Sequence, residues 1–358
     1  MAVAEVNRIQ QIIDTEGFSD EHYLQELEAQ LLLTKALKYQ EDVWREKARD
    51  QKFIHGDRNT TYFHHLAKIR ASTNSINFLY DGELVITEPS DIEVHVVNYF
   101  QSIFTVANNC IHNDLIAETI PSLVYIDENN MLLRIPQREE VKDAVFALNG
   151  DGAPGPDGFG GHFYQTYWDI VGAEVVQSVQ EFFISGVLAN NINNNLIVLI
   201  LKVPGPRVMG DYRPIALANF QLKVITKILA DRLAIVTMRI ISIEQRGFIC
   251  DRQISECVIL ASEAINILDK RQYGGNIALK VDIAKAFDTL DWNFLLEVLR
   301  RFGFDEMFVT WILLILQSAR LSVLVNGMDV GFFSCSRGVR QGDPLSPLLF
   351  CLAEEVLS

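Results

Sequence analysis

Apolar residues recur along the chain with two different spacings, and these spacings separate helical stretches from extended ones. Residues 19–54 contain neither glycine nor proline, and their apolar positions repeat every three or four residues. This pattern predicts one long amphipathic helix that begins at Ser19 or Asp20 as its N-cap. The helix predicted over 253–271 carries apolar residues on one face, so we expect it to pack in the core. The same spacing predicts further helices over 163–183, 220–241, 291–302 and 305–319.

Short apolar runs bounded by turn residues predict the strands. A hairpin is expected over 74–88, with Asp81-Gly82 at its turn. Asn326-Gly327 is expected to join two later strands, and Pro344 to mark the start of the last helix. The mixture of strands and helices indicates an α+β fold. The remaining strands are predicted at 196–203, around 213–215, and at 277–282, 321–327 and 331–338.

Composition narrows the class of protein. Of the 358 residues, 49% are hydrophobic and 22% are charged, as in globular proteins with a large core. No apolar run reaches the roughly 18 residues that a membrane span requires, and the N-terminus lacks the apolar region of a secretory signal. We therefore expect an intracellular protein, in the cytoplasm, the nucleus or both. The five cysteines form no CxxC pair, which favours ordinary thiols over zinc ligands or disulfides.

Charge is distributed unevenly along the chain. The net charge of −15 argues at first against a nucleic-acid partner. Residues 1–194 hold 13 Lys+Arg and 29 Asp+Glu, a net charge of −16, whereas residues 195–358 hold 18 and 17, a net charge of +1. The second half is therefore the less repulsive one for a phosphate backbone, although composition alone does not imply strong electrostatic binding.

The second half also holds the residues that point to chemistry. Lys202 ends one predicted strand, Arg213 precedes a basic helix, and Asp282 ends another strand five residues before Phe287. Each has an ordinary alternative: the cations as solvated charges, Asp282 as a helix cap. Together they suit a polymerase, in which a strand-end carboxylate holds Mg²⁺ and cations contact a triphosphate. A glycine such as Gly342, beside a polar residue, lets a base pair approach the backbone.

Seven spaced motifs carry a resemblance to a known family. Over residues 40–358 the sequence resembles the reverse transcriptase of non-LTR (LINE-type) retrotransposons, of the sort abundant in plants. The matching stretches are GDRNTTYFHH (56–65), GAPGPDGFGGHFYQTYW (152–168), DYRPIALANFQLKVITKILADRL (211–233), EQRGFI (244–249), LKVDIAKAFDTLDW (279–292), LSVLVNG (321–327) and SRGVRQGDPLSPLLF (336–350).

The resemblance implies a right-hand polymerase. Residues 1–135 would form a mostly helical linker region, 136–275 the fingers and 276–358 a partial palm, with the reverse transcriptase domain at about 190–358. The reaction implied is nucleotidyl transfer from a dNTP to a primer 3′-OH. The expected partners are an RNA template, a DNA primer and dNTP, with no membrane; the sequence does not indicate an oligomeric state.

The resemblance also assigns roles to residues. Asp282 is implied as the first catalytic metal ligand, with the backbone carbonyl of Ile283 beside it, in a site for two Mg²⁺ or Mn²⁺ ions. Phe287 is implied to pack under the incoming sugar and to exclude a 2′-OH. The other implied nucleotide contacts are Lys202, Arg213, Gln341 and Gly342, and the weaker implied template contacts are Lys223, Lys227, Arg340, Pro156, Asp157 and Gly158.

The sequence departs from the family pattern in three places. Leu201 stands where the family has proline, and Cys250-Asp251 replaces a basic-glycine pair. The family's second metal motif, an Asp-Asp hairpin, follows the final helix, and the sequence contains no Asp-Asp pair. We therefore expect a fragment that does not extend a primer by itself, because one carboxylate cannot hold two metal ions. Template-dependent product that disappears in Asp282→Ala would contradict this.

Two alternatives remain open at this stage. The chain could be a catalytically dead transposon remnant, or a weak RNA-binding module without catalysis. The second alternative would be favoured by an excess of basic residues, which this sequence lacks.

Overall fold

The computed structural model describes residues 2–48, 60–73, 75–105, 115–268, 270 and 273–357. The chain divides into two compact units, Met1–Ser75 and Ile76–Ser358. The helix break predicted at Gly56-Asp57 lies outside the described residues. Among the described residues, no helix is both long enough and apolar enough to cross a membrane.

The first unit consists of helices. Ser19 caps the second of them, because its Oγ accepts a hydrogen bond of 3.1 Å from the N–H of His22, which confirms Ser19 as the capping residue. A small apolar cluster of Val6, Ile9 and Ala29 packs the first two helices together. The helices are α1 (Ala2–Glu16), α2 (Asp20–Ala48) and α3 (Thr60–Thr73).

The second unit is built on a mixed four-stranded sheet. After a hairpin of β1 (Leu79–Asp81) and β2 (Leu84–Ile86), the chain forms β3 (Asn194–Leu201), β4 (Tyr212–Ala218), β5 (Arg320–Val325) and β6 (Met328–Ser334). Their order in the sheet is β4-β3-β5-β6, in which β3 runs parallel to β5 and antiparallel to β4.

Both predicted hairpins are confirmed. The β5–β6 turn lies at Asn326-Gly327, where φ is +49° and +88°. Two successive positive φ values match the twist of the strands in a tight hairpin, and asparagine and glycine tolerate them. The first hairpin turns after Asp81 with Gly82 at φ +61°.

Helices cover the sheet and form the main core, and the α+β class is confirmed. Helix α10 contributes to that core along its length, with Val224, Leu229 and Leu233 fully buried. The helices are α4 (Pro89–Thr105), α5 (Leu115–Thr119), α6 (Ile126–Leu133), α7 (Arg138–Ala147), α8 (Gly161–Thr166), α9 (Trp168–Ser185), α10 (Phe220–Ile240), α11 (Ile254–Leu268), α12 (Ala286–Thr289), α13 (Trp292–Phe302), α14 (Glu306–Gln317) and α15 (Ser346–Glu354).

Three sequence predictions of local structure are wrong. Residues 277–282 form no strand, because no described strand pairs with them, and Ile277, Leu279 and Val281 are more than three-quarters exposed. Helix α11 forms but buries none of its described residues, so it is not a core helix. The final helix begins after Pro344, at Ser346, with a different proline in its first turn.

Candidate nucleotide and nucleic-acid site

The β3–β4 hairpin brings two of the predicted cations to one end of the sheet. Ile200 on β3 is paired with Arg213 on β4, and Lys202 follows directly after β3. The backbone N–H of Lys202 donates to the Asp211 carbonyl at 2.8 Å, which continues the hairpin by one more bond. The ammonium Nζ donates to the Gly210 carbonyl at 2.9 Å. Both cationic side chains are exposed, so a negatively charged ligand can reach this end of the hairpin.

The loop that contains Gln341 and Gly342 lies along the outer edge of β4. The backbone N–H of Ala216 donates to the Gln341 carbonyl at 3.0 Å, so the loop satisfies part of an otherwise open sheet edge. Gly342 has φ +108°, and a β-carbon there would lie 3.0 Å from the Ala216 carbonyl oxygen. Only glycine fits this close approach without strain.

A buried carboxylate holds the side chain of Gln341. The Gln341 Nε2 donates to Asp288 Oδ1 at 3.0 Å, and Asp288 is 5% exposed. Burial raises the pKa of Asp288, while the Gln341 hydrogen bond and the charges of Lys285 and Lys202 act in the opposite direction. Asp288 is therefore within electrostatic reach of one of the hairpin cations.

Asp288 was not among the predicted site residues. From the sequence it is most simply a cap or a local ion-pair partner, and 53 residues separate it from Gln341. The one signal in the sequence is its position directly after Phe287, where a charged residue lies within a short stretch of mostly apolar residues.

Phe287 packs between two other rings. Its ring stacks on Phe350 with centroids 4.6 Å apart and planes 21° apart, and it meets Phe248 edge-on at 6.2 Å. The Phe287 carbonyl accepts a 2.7 Å hydrogen bond from the N–H of Val339. The ring is half-buried at the margin of the main core. One face of this residue is thus fixed by packing while part of it remains accessible.

The predicted metal ligands lie on the exposed segment that forms no strand. Asp282 and Ile283 are both exposed, and Ile283 offers a backbone carbonyl. In the described ranges, no group of three or more His, Cys, Asp or Glu side chains could hold a metal ion. Because Mg²⁺ prefers six oxygen ligands, two oxygens from this segment do not by themselves make a complete site.

The predicted template loop packs on the start of helix α10. A β-carbon on Gly155 would lie 2.5 Å from the Asn219 nitrogen, so glycine permits this contact. The Asp157 N–H donates to Asn219 Oδ1 at 3.2 Å, and the Phe159 N–H donates to Asp157 Oδ1 at 3.0 Å. Pro156, Asp157 and Gly158 are themselves exposed at the tip of the loop.

A cleft of about 180 Å³ joins this loop to the loop at β4, and its lining includes Gly152, Phe159, Lys223, Gly342 and Pro344. Burial lowers the pKa of Lys223, and the nearby carboxylates of Asp343 and Asp157 raise it. The structure therefore brings Lys223 and Gly342 to one cleft, whose lining also includes Gly155 and Phe159 on either side of the 156–158 tip.

The other two predicted template contacts are engaged within the protein. Lys227 forms an ion pair of 2.5 Å with Asp231 on the surface of α10. Arg340 is 9% exposed; it donates to Asn193 Oδ1 and to Asp343 Oδ2, the latter at 3.4 Å. The Arg340 guanidinium thus holds the Gln341–Gly342 loop through buried hydrogen bonds.

The sequence is similar to those of known proteins. Residues 200–358 match the family model described as reverse transcriptase (RNA-dependent DNA polymerase). The chain is 27% identical over 314 residues to the transposon TX1 uncharacterized 149 kDa protein of Xenopus laevis, which covers 86% of this chain and 24% of that protein. It is 30% identical over 206 residues to the Pol polyprotein from type-1 retrotransposable element R2 of Nasonia vitripennis, covering 57% of this chain and 19% of that protein.

A second R2 relative has a similar identity and a similar coverage of the chain. The Pol polyprotein from type-2 retrotransposable element R2DM of Drosophila melanogaster is 27% identical over 209 residues, which is 57% of this chain and 19% of that protein. The chain thus spans a quarter or less of the length of these three relatives. Residues 200–358 therefore match a reverse transcriptase domain, and the relatives that resemble the chain, named as products of the TX1 transposon and of R2 retrotransposable elements, support a reverse transcriptase of the non-LTR type.

Proposed function

We propose that residues 200–358 form the part of an RNA-directed DNA polymerase that binds the incoming dNTP and the templating base. The proposal rests on one observation: the cationic end of the β3–β4 hairpin and the Gln341–Gly342 loop both lie at β4. The hairpin cations Lys202 and Arg213 lie at one end of β4, and the Gln341–Gly342 backbone runs along its outer edge. Cations suit a triphosphate, and a flat backbone at glycine suits the minor-groove side of a base pair.

In this proposal each residue has one task. Lys202 and Arg213 neutralise the triphosphate; Gln341 and Gly342 abut the base pair between template and nucleotide; and Phe287 lies under the sugar. Asp282, with the carbonyl of Ile283, contributes to a divalent-metal site. Such a metal would neutralise triphosphate charge and activate the primer 3′-OH for attack on the α-phosphate.

The template is proposed to pass the cleft beside Lys223. Lys223 lines that cleft together with Gly342, and so do Gly155 and Phe159, which flank the Pro156–Gly158 tip. A cation in a groove beside exposed loop residues suits the backbone of a single strand. Lys227 is proposed as a weaker backbone contact, since exchanging Asp231 for a phosphate would retain its ion pair.

The proposal is tested by measuring the formation of a complex between the chain, an RNA template annealed to a DNA primer, and dNTP. We expect dNTP complementary to the template to bind at least ten times more tightly than mismatched dNTP, and Lys202→Ala or Arg213→Ala to remove most of this binding. Arg301→Ala is the control, because Arg301 forms only a surface ion pair with Glu297. Template-independent binding, or equal loss in the control, would contradict the proposal.

A weak RNA-binding module without nucleotide recognition is the second candidate. It is favoured by one observation: Asp282 lies on an exposed segment, and among the described residues it belongs to no group of three or more side chains that could hold a metal ion. Binding of template-primer that is indifferent to complementary dNTP would support this candidate over the polymerase.

A further inference from the structure

The side chain of Gln341 is held by a residue that lies outside every motif role assigned above. Its Nε2 donates to Asp288 Oδ1 at 3.0 Å. Its own backbone carbonyl is tied to β4 through the 3.0 Å bond from the N–H of Ala216. Both ends of the residue are therefore anchored, one to the sheet and one to a carboxylate.

Asp288 is itself fixed firmly in place. It lies in the single turn of α12, and its N–H donates to the Lys285 carbonyl at 2.8 Å. The backbone of Gly338 presses against it, because a β-carbon on Gly338 would overlap the Asp288 carbonyl. The N–H of Gly338 also donates to the Leu290 carbonyl at 2.7 Å. These contacts fix the backbone of Asp288, and its side chain is almost fully buried beside Gln341.

The chemistry of the pair determines which way the amide faces. An ionised carboxylate only accepts hydrogen bonds, so it selects the NH₂ end of Gln341 and turns the Oε1 end away. Burial raises the pKa of this carboxylate, whereas the Gln341 hydrogen bond and the charges of Lys285 and Lys202 favour its ionised form. Asp288 thus binds the Gln341 amide within electrostatic reach of the cation at the end of β3.

Buried contacts also hold the loop that contains Gln341 and Gly342. Arg340 and Asp343, on either side of Gln341-Gly342, form an ion pair of 3.4 Å, and both are almost fully buried. The guanidinium also donates to Asn193 Oδ1, whose Nδ2 donates to the Ile315 carbonyl at 2.7 Å. This arrangement fixes the backbone on both sides of Gln341, so the Asp288 bond is left to set its side chain.

We propose that Asp288 is a positioning residue for nucleotide recognition, which orients the Gln341 amide so that its oxygen is presented beside the Gly342 backbone. This inference rests on the proposed function. It adds a residue that does not touch the nucleotide but sets the geometry of one that does.

The first test is a double-mutant cycle on dNTP affinity in the full chain with template-primer. Asp288→Ala and Gln341→Ala are each expected to weaken complementary dNTP binding about 5- to 20-fold. The double variant should bind no more weakly than Gln341→Ala alone, because residues that act through one contact are not additive. Asp288→Asn, which keeps an oxygen acceptor, should restore binding to within about threefold of the original chain. Effects that multiply, or an Asn variant as weak as the Ala variant, would overturn the proposal.

The second test does not depend on nucleotide binding. In protein labelled with ¹⁵N in glutamine side chains, the Gln341 amide signals are identified by their loss in Gln341→Ala. Asp288→Ala is expected to shift these signals and to collapse the difference between the two amide protons. Asp305→Ala, which removes the cap of α14, is the control and should leave them unchanged.

The two tests distinguish failure of the proposed function from failure of the positioning role of Asp288. If the chain binds no dNTP, the proposed function fails, and the amide signals still decide whether Asp288 orients Gln341. Unmoved Gln341 signals in Asp288→Ala overturn the inference whether or not nucleotide binds.

Discussion

Replacing Gly155 with alanine is expected to detach the 156–158 loop from the start of α10. The added methyl would lie 2.5 Å from both the backbone nitrogen and the Oδ1 of Asn219, and 2.6 Å from the Ala218 carbonyl carbon. Asn219 cannot move aside easily, because it is 6% exposed and its Nδ2 donates to the Asn191 carbonyl at 3.0 Å. The loop must therefore move instead.

The expected loss of stability follows from these contacts. Overpacking of this kind costs about 1–3 kcal/mol. Moving the loop also breaks the bond from the Asp157 N–H to Asn219 Oδ1, which adds roughly 1 kcal/mol. Alanine reduces the entropy of the unfolded chain and returns about 0.4–1 kcal/mol. The free energy of unfolding should therefore fall by about 1–3.5 kcal/mol, with a central value of about 2 kcal/mol.

Gly158→Ala in the same loop is the matched control. Gly158 has φ +78°, and a β-carbon there would meet nothing within 4 Å. Its cost is only the left-handed backbone, about 1–2 kcal/mol, less the same unfolded-state gain. The control should therefore lose about 1 kcal/mol and keep the loop in place.

Urea denaturation and limited proteolysis measure the two consequences. Gly155→Ala should lower the urea midpoint more than Gly158→Ala, and only Gly155→Ala should become readily cleaved between 150 and 160. Equal midpoints for the two variants, or equal cleavage, would refute the reasoning that close packing on Asn219 holds this loop.

Three other changes have definite expected outcomes. Phe287→Val should raise the affinity ratio of rNTP to dNTP by roughly 10- to 1000-fold if the ring is the sugar gate; an unchanged ratio with a lower melting temperature would identify a core residue. Asp288 has a folded-state pKa raised by burial, so its stabilising contribution is complete in acid and is lost as pH rises through that pKa. Asp288→Asn should therefore gain melting temperature over the original chain at about pH 8, and the gain should shrink towards pH 4; a gain that grows in acid would be contrary to this sign. Arg232→Met leaves Glu140 half-buried without its bonds of 2.8 and 3.0 Å and should cost about 3–5 kcal/mol in urea unfolding, whereas Arg301→Met at a surface pair should cost under about 1 kcal/mol.

The features that local physics controls could be predicted from the sequence. Ser19 caps its helix, and Asn326-Gly327 forms its hairpin, because caps and tight turns depend on residues a few positions apart. Lys202 and Arg213 were predicted as separate cations, and one short hairpin brings them to the same end.

The features that depend on distant contacts could not be predicted in the same way. The bond between Asp288 and Gln341 joins two motifs across 53 residues, and neither motif alone indicates the other. The apolar pattern of 277–282 is typical of a strand, but a strand also needs a neighbour that provides its hydrogen bonds. Periodicity reports which residues could be buried, and only tertiary contacts decide whether they are.

The parallel pairing of β3 with β5 cannot form during translation until β5 has been synthesised. Asn194 is paired with Arg320, so 126 residues must be synthesised between the two halves of the contact. At about 5–20 residues per second, translation takes roughly 6–25 s to cover that distance. Through that interval β3 lacks its parallel partner β5, so the edge of β3 that pairs with β5 is open. The nascent chain therefore spends seconds in a state that can pair with other strands, and a chaperone that shields β3 should raise its yield.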